Sequence, residues 1–260
     1  MTFDRVIVVD WSAASRPHPT PRKDAVWIGV TDGKTEAQEF HSTRASAETR
    51  LQALVAEGRR DLIGFDFPFG APLGLAHRLT GTETAPALWA WLAARITDGP
   101  RNANNRFQVA AEMNRTLGAP AFWGRPATWD IAGLPTRKLC DYKTLGLDEH
   151  RACEKKWPGT QPFWKLLGAG SVGSQALMGL PVIHRLSQLP GVTAWPWDAT
   201  GRVVLAEVWP SVLAPKVRAE ADPIPDRAQV KLLARALWAM GALPSAPSDA
   251  EGWILTPGRP

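Results

Sequence analysis

Three acidic residues stand where apolar runs end. Asp10 closes RVIVVD, Asp66 closes DLIGFD, and Glu207 lies near the end of GRVVLAE. An ionised carboxylate after an apolar strand is costly unless it is paired, hydrogen-bonded or bound to a cation. Three in equivalent positions point to a shared site. Like charges held close raise each other's pKa, and a divalent cation removes the repulsion. An all-carboxylate ligand set favours Mg²⁺ or Mn²⁺. Two such ions about 3.5–4 Å apart activate water and stabilise the leaving oxygen in phosphodiester cleavage. Asp226, at the start of the last helix, is a fourth acid that either leans into the site or caps that helix. The competing reading of the first three is structural: Asp10 bonded to Ser12 in a turn, Asp66 to backbone ahead of Pro68, Glu207 to an arginine.

The elements that must position these acids follow from apolar patterning. Arg5–Trp11 and Ala25–Val30 read as strands, joined to a weaker third, Thr35–His41, through the turn Thr31-Asp-Gly-Lys34. Ser46–Glu57 has helical spacing, with Ser46 as N-cap and Gly58 as stop. Asp61–Phe67 is a fourth strand and Gly201–Val208 a fifth. Asp226 caps an amphipathic helix over Arg227–Met240, and EGWIL near the end suits a short edge strand. Between the fourth and fifth strands, residues 68–190 are rich in Pro, Gly, Trp and Arg, with helices expected near 72–79, 85–97, 105–117 and 173–188. The order predicts an α/β fold of the ribonuclease H-like kind: a single domain over 1–260 with a mixed five-stranded sheet of order 3-2-1-4-5, helices on both faces, and 68–190 as a helical insertion. In that order Asp10, Asp66 and Glu207 lie on adjacent parallel strands about 4.8 Å apart, at the carboxyl ends where open α/β sheets place ligands.

Composition narrows the class. The chain has 260 residues, 45% hydrophobic and 21% charged, enough to bury a core. No run reaches the roughly 18–20 apolar residues of a membrane span. The start reads as a first strand rather than a signal peptide, and Cys140 and Cys153 lack metal-ligand spacing, so both read as free thiols of a cytoplasmic protein. A net charge of +5 suits a polyanionic partner but equally a mildly basic surface. Thirteen tryptophans exceed what a core of this size ordinarily carries, so some are candidates for lining a cleft.

Taken together, DWSA (Asp10–Ala13), GFDFPFG (Gly64–Gly70), FWKLLGAGSVGSQALMGLPVIHRL (Phe163–Leu186), AEVWPS (Ala206–Ser211), DRAQVKLLARAL (Asp226–Leu237) and EGWIL (Glu251–Leu255) resemble domain-of-unknown-function family 429, whose members are predicted ribonuclease H-like nucleases. The resemblance implies that Asp10, Asp66 and Glu207 fill the family's acidic positions, that Asp226 matches an acid before the last helix, and that Glu154 in RACEKK is a further acidic position. Trp209 stands where His or Tyr often follows Glu-Val in such relatives.

GAGSVG, Gly168–Gly173, is a literal G-x-G-x-x-G. It follows QPFWKLL rather than a β-branched strand, and Pro181 should kink or end the helix behind it. No NAD or FAD is therefore expected. The glycines read instead as letting a loop and a helix N-terminus approach the acidic cleft, where Ser171 and Ser174 can meet a substrate phosphate. Arg101 and Arg106 in RNANNRF, and Lys165, are further candidates for gripping phosphate; a solvated loop and a surface lysine are the alternatives. Of the five histidines only His184 falls on an amphipathic helix that could line the cleft. The leading expectation is a Mg²⁺- or Mn²⁺-dependent phosphodiesterase acting on nucleic acid or a nucleotide. Two others stay open: a non-catalytic binder of nucleic acid or protein, and an actin-like or sugar-kinase-like ATP-dependent phosphotransferase, which DWSA fits poorly because Trp11 and Ala13 obstruct close approach of backbone to phosphate.

Overall fold

β-Branched runs set the sheet in the computed structural model, which describes residues 3–257. β1 (Arg5–Asp10), β2 (Val26–Thr31) and β3 (Glu36–His41) form an antiparallel ladder, with Asp10 opposite Trp27. α1 (Arg44–Ala56) leads to β4 (Asp61–Phe65), which runs parallel to β1 with Val9 opposite Phe65. Next come α2 (Leu75–Thr80), α3 (Ala85–Ala93), α4 (Arg106–Leu117), α5 (Tyr142–Leu145), α6 (Ala152–Lys156) and α7 (Val172–Ser187). The chain then returns as β5 (Val192–Ala194) and β6 (Val203–Val208), passes a 3₁₀ turn (Pro210–Leu213), and ends with α8 (Ala214–Ala219), α9 (Pro225–Met240) and β7 (Ile254–Leu255). This is an α/β fold with a mixed sheet of seven strands, order β3-β2-β1-β4-β6-β5, and β7 also on β6.

Seven strands replace the five of the expected sheet; β7 is the edge strand that EGWIL suggested, and β5 is the addition. β5 is only three residues long, too short for alternation to be read. It pairs with Val203–Leu205, while β7 pairs with Glu207–Val208. Because β4 covers the opposite edge of β6 from Val203 to Glu207, β5 and β7 share the remaining edge end to end. Other expectations shift by a turn. The hydroxyl of Thr43, not Ser46, caps α1 by accepting the Ser46 N–H at 3.2 Å. α9 starts at Pro225 with Ile224 in the cap position, so Asp226 lies inside its first turn. α7 covers the helix expected near 173–188 and runs through Pro181 without ending there. Pro181 forfeits one backbone hydrogen bond, but the helix around it is buried on Leu180, Val182 and Ile183 and packs along α3, which holds it in register.

Alternation along the strands divides the core. Val6 and Val8, with Leu62, Val204 and Ala206, face Val230, Leu233 and Leu237 of α9. Ile7, Val9, Ile63, Phe65 and Leu205 face the other way, onto Leu51 and Leu54 of α1 and Leu177, Leu180 and Ile183 of α7. Among the described residues no helix is long and apolar enough to cross a membrane.

α9 lies against β2 so closely that only glycine fits beneath it: a Cβ on Gly29 would stand 2.7 Å from the Val230 carbonyl. Gly29→Ala is expected to destabilise the fold by about 1–3 kcal/mol through overpacking. Gly99→Ala, whose Cβ would meet its nearest neighbour at an ordinary 3.5 Å, should stay within about 0.5 kcal/mol. Urea unfolding of the two variants reads the difference.

Candidate functional site

The parallel pairing of β1 with β4 brings Asp10 and Asp66 side by side. Asp10 ends β1; Asp66 follows β4 directly, its N–H donating to Val9 O at 3.2 Å. Asp66 Oδ1 accepts the Trp11 N–H at 2.7 Å, and Oδ2 accepts from Gln175 Nε2 at 3.0 Å. Gln175 also donates to Trp11 O, at 2.7 Å. Asp10 Oδ2 accepts from Gln229 Nε2 at 2.9 Å. Two glutamines, one in the first turn of α7 and one in α9, thus reach the acids from opposite faces of the sheet. One helical turn before Gln229, Asp226 Oδ2 accepts the Asp24 N–H at 2.7 Å, and Ser12 Oγ donates to Asp24 O at 2.6 Å. Asp24 holds φ +63°, a left-handed conformation uncommon outside glycine and stabilised here by those two bonds. Gln175, Gln229 and Asp24 were not singled out from sequence: an amide on a helix and an acid ahead of a strand have no distinctive spacing.

Electrostatically this corner is unlike the rest of the sheet. At the opposite end of β1 and β4 the fully buried Asp61 takes a bidentate pair from Arg5, at 3.0 and 2.7 Å. Among the described residues no ion pair reaches Asp10, Asp66 or Asp226. Burial pushes the Asp10 carboxyl well up, reinforced by the charges of Asp66, Asp226 and Asp24. Asp66 opens on a cavity, yet packing around it strips enough water to push it up to about 7, against the Trp11 and Gln175 hydrogen bonds. Burial raises Asp226 as well, against its bond from Asp24.

Glu207 does not join this group. Its register partner is Phe65, so alternation turns it with Leu205 toward the α1–α7 side, whereas Asp10 follows Val6 and Val8 toward α9. There Arg151 holds it at 2.5 and 2.8 Å, and the Phe69 N–H donates to it at 2.9 Å. Arg151, 1% exposed, also donates to Glu154 Oε1 at 2.7 Å and to Glu251 O at 2.9 Å. Burial works against ionisation of Glu154, but Arg151 and His150 more than offset it and hold it low. The structural reading of Glu207, an acid bonded to an arginine, is the observed one; Glu154 belongs to the same ion cluster. Among the described residues no three His, Cys, Asp or Glu side chains are arranged as a ready metal-ligand set.

Two cavities flank the acids. One, of about 370 Å³, runs from Asp66 past Gln161, Gln175 and Gln229 to Glu207 and Trp209. The other, of about 510 Å³, is bordered by Asp10, Ser12, His18, Lys23 and Arg106. Ala169, Gly170 and Gln175 belong to both walls. The glycine run is therefore the partition of the cleft: Gly168 and Gly170 take φ +93° and +71°, and a Cβ on Gly173 would sit 2.2 Å from Phe163 O. It is not an open anion cradle. The N–H groups of Val172, Gly173 and Ser174 donate to Gly170 O, Lys165 O and Ser171 O. Ser171 and Ser174 both border the second cavity, but the Ser174 hydroxyl is engaged, donating to Leu166 O at 2.5 Å and accepting from Arg106.

The basic candidates also have structural duties. Lys165 Nζ donates to Ala169 O at 2.5 Å and so braces the partition. Arg106 is buried, donating to Ser174 Oγ, Ser15 Oγ and Asn104 Oδ1 at 3.0, 3.0 and 2.7 Å; burial brings it down to about 10. It pins α7 to the loop after Asp10. Arg101 is exposed and borders neither cavity. His184 lies in the last turn of α7, roughly 14 Å along the helix from Gln175. Comparison of the chain with family models, with curated proteins and with solved structures finds no match.

Arg151→Met leaves Glu207 buried without its cation and Glu154 with His150 alone, and is expected to cost about 3–5 kcal/mol of stability, measured by denaturant unfolding at neutral pH. The raised carboxyls make a second prediction. Asp66 favours its protonated form in the folded state, so its contribution is fully present below its ordinary 3.8 and is lost as pH rises through about 7; Asp10 acts in the same direction. Asp66→Asn and Asp10→Asn should therefore raise Tm at pH 8 in chelator, and the gain should fade as pH approaches 4.

Proposed function

We propose that this chain is a ribonuclease H-like, divalent-metal-dependent phosphodiesterase acting on nucleic acid or a nucleotide, with 68–190 as a helical insertion. The observation that carries the reading is the contrast among buried acids. Asp61 at the far end of the sheet and Glu207 at the near end each have an arginine, while Asp10 and Asp66, at the carboxyl ends of β1 and β4, have only amide donors among the described residues. Arginine neutralisation, present at two other buried acids of this sheet, is absent where a cation from solution would be needed.

The donor set fits Mg²⁺ or Mn²⁺. Each carboxylate has about four lone-pair sites, of which Asp10 uses one and Asp66 two. Mg²⁺ commonly takes one or two carboxylates, several waters and a substrate phosphate, so a pair of acids suffices without a third ligand. Asp10 and Asp66 would hold the ion; Glu207, saturated by Arg151, leaves the ligand set. When bound, the ion supplies charge stabilisation to the phosphoryl oxygens and a more acidic water. The chain supplies the rest. Gln175 and Gln229 fix the carboxylate rotamers. Asp226 borders neither cavity; it anchors the Asp24 turn beside the pair and adds its charge to the site. Arg106 keeps α7, and with it Gln175, in place.

Incubation of the protein with labelled single- and double-stranded DNA and RNA and with nucleotide phosphodiesters should give Mg²⁺- or Mn²⁺-dependent cleavage. Asp10→Asn or Asp66→Asn should lower kcat by at least about 10²-fold, as loss of a major charge-stabilising element does. Mn²⁺ should raise Tm of the wild type and leave that of Asp10→Asn unmoved. Undiminished cleavage by both variants overturns the reading.

A further inference from the structure

The cavity between Asp66 and Trp209 has chemistry of its own. We infer that it is a binding slot for a single unpaired nucleobase, and hence that the substrate is a single strand or a nucleotide end rather than an intact duplex. This rests on the phosphodiesterase reading above and names its substrate class.

Size comes first. At about 370 Å³ the cavity is near the lower limit of small-molecule sites, about 300–1,000 Å³. It has room for one base and its sugar, and none for a stacked pair, so a base must leave its stack to enter.

Charge comes second. Among the described residues the one cation on its wall, Arg151, is consumed by Glu207 and Glu154. Lys23 and Arg106 border the neighbouring cavity instead, across the Ala169–Gly170 partition. The cleft is thus polarised about the two aspartates, with basic groups toward one side and neutral hydrogen-bonding groups toward the other.

The third consideration is what the wall offers. Trp209 is half-buried, packs against Cys153, Trp157 and Ile254, and lines the cavity. A partly exposed indole held by such packing offers a base a stacking surface, tolerant of base identity because every base has a π-face. Facing groups suit a base edge. Gln229 spends its amide N–H on Asp10, and its carbonyl makes no hydrogen bond among the described residues. Gln161 makes only a 3.5 Å contact to Gly159 O, and Ser211 adds an exposed hydroxyl at the rim.

The test uses fluorescence anisotropy with Ca²⁺ replacing Mg²⁺, on a short labelled single strand, its all-abasic counterpart and the matching duplex. Wild type should prefer the base-bearing single strand over the other two. Trp209→Ala should weaken its binding about 5- to 150-fold, the range for loss of base–aromatic stacking, and leave abasic binding unchanged. Trp209→Phe should restore most of the affinity, and Gln161→Ala should weaken only base-bearing strands. Equal losses on intact and abasic strands, no effect of Trp209→Ala, or equal affinity for duplex would overturn the slot. Turnover with Mg²⁺ is read separately: loss of the base preference with Asp10-dependent cleavage intact removes the slot and leaves the phosphodiesterase, whereas base-selective binding without metal-dependent turnover removes the phosphodiesterase.

Discussion

The site depends on two neighbouring strands running parallel. β1 and β4 start together and end together, so whatever residue type terminates one lies beside the terminus of the other. At their starts this juxtaposition is neutralised internally, Arg5 on β1 gripping Asp61 on β4. At their ends it sets two acids side by side with only amide dipoles to screen them. An enclosed pair of like charges is destabilising, and such a feature is tolerated where it has a use. The rest of the cleft is built outward from that corner: α7 and α9 contribute one glutamine each, the Asp24 turn holds Asp226, and Arg106 and Arg44 lock the loops that follow. Arg44 alone donates to Ser12 O, Ala14 O and Asn102 O while paired with Asp98.

Much of the scaffold was legible because it is written in continuous apolar runs and one helical stripe. The run ending at Asp10 is β-branched, that ending at Asp66 is apolar, and the helix over 227–240 shows its stripe. What was not legible was parity. Glu207 looks like a third strand-end acid, but its level with Phe65 is a matter of register, and a one-residue offset sends a side chain to the other face. Nothing in GRVVLAEV states which residue of β4 it will meet. The arginine that claims it, Arg151, is 56 positions away in an irregular region, beyond the reach of local pattern.

The glycine run illustrates a different limit. G-x-G-x-x-G marks places where backbone must pass close to something, and here that something is the protein itself: Phe163 O against Gly173 and Gln161 against Gly170. The pattern identified close approach correctly, and the run does border both cavities beside the acids, but the atoms it packs on are the chain's own. Lys165 and Arg106 carry the same lesson. Basic residues beside a phosphate-like motif were natural ligand candidates, yet carbonyl and hydroxyl oxygens of the chain occupy them first.

Glu251 ties together parts of the chain made at very different times. Its carboxylate accepts the N–H groups of Leu73, at 3.2 Å, and Ala152, at 2.6 Å, and its carbonyl accepts from Arg151; three residues later Ile254 joins β6 beside Glu207 and closes the cavity wall. Without this segment the Arg151 cluster lacks an acceptor and the cavity part of its wall. The wall of the cleft is thus held by residues remote in sequence from the strands that carry its acids, so loosening the Glu251 contacts would open the cavity while leaving the aspartates where β1 and β4 put them.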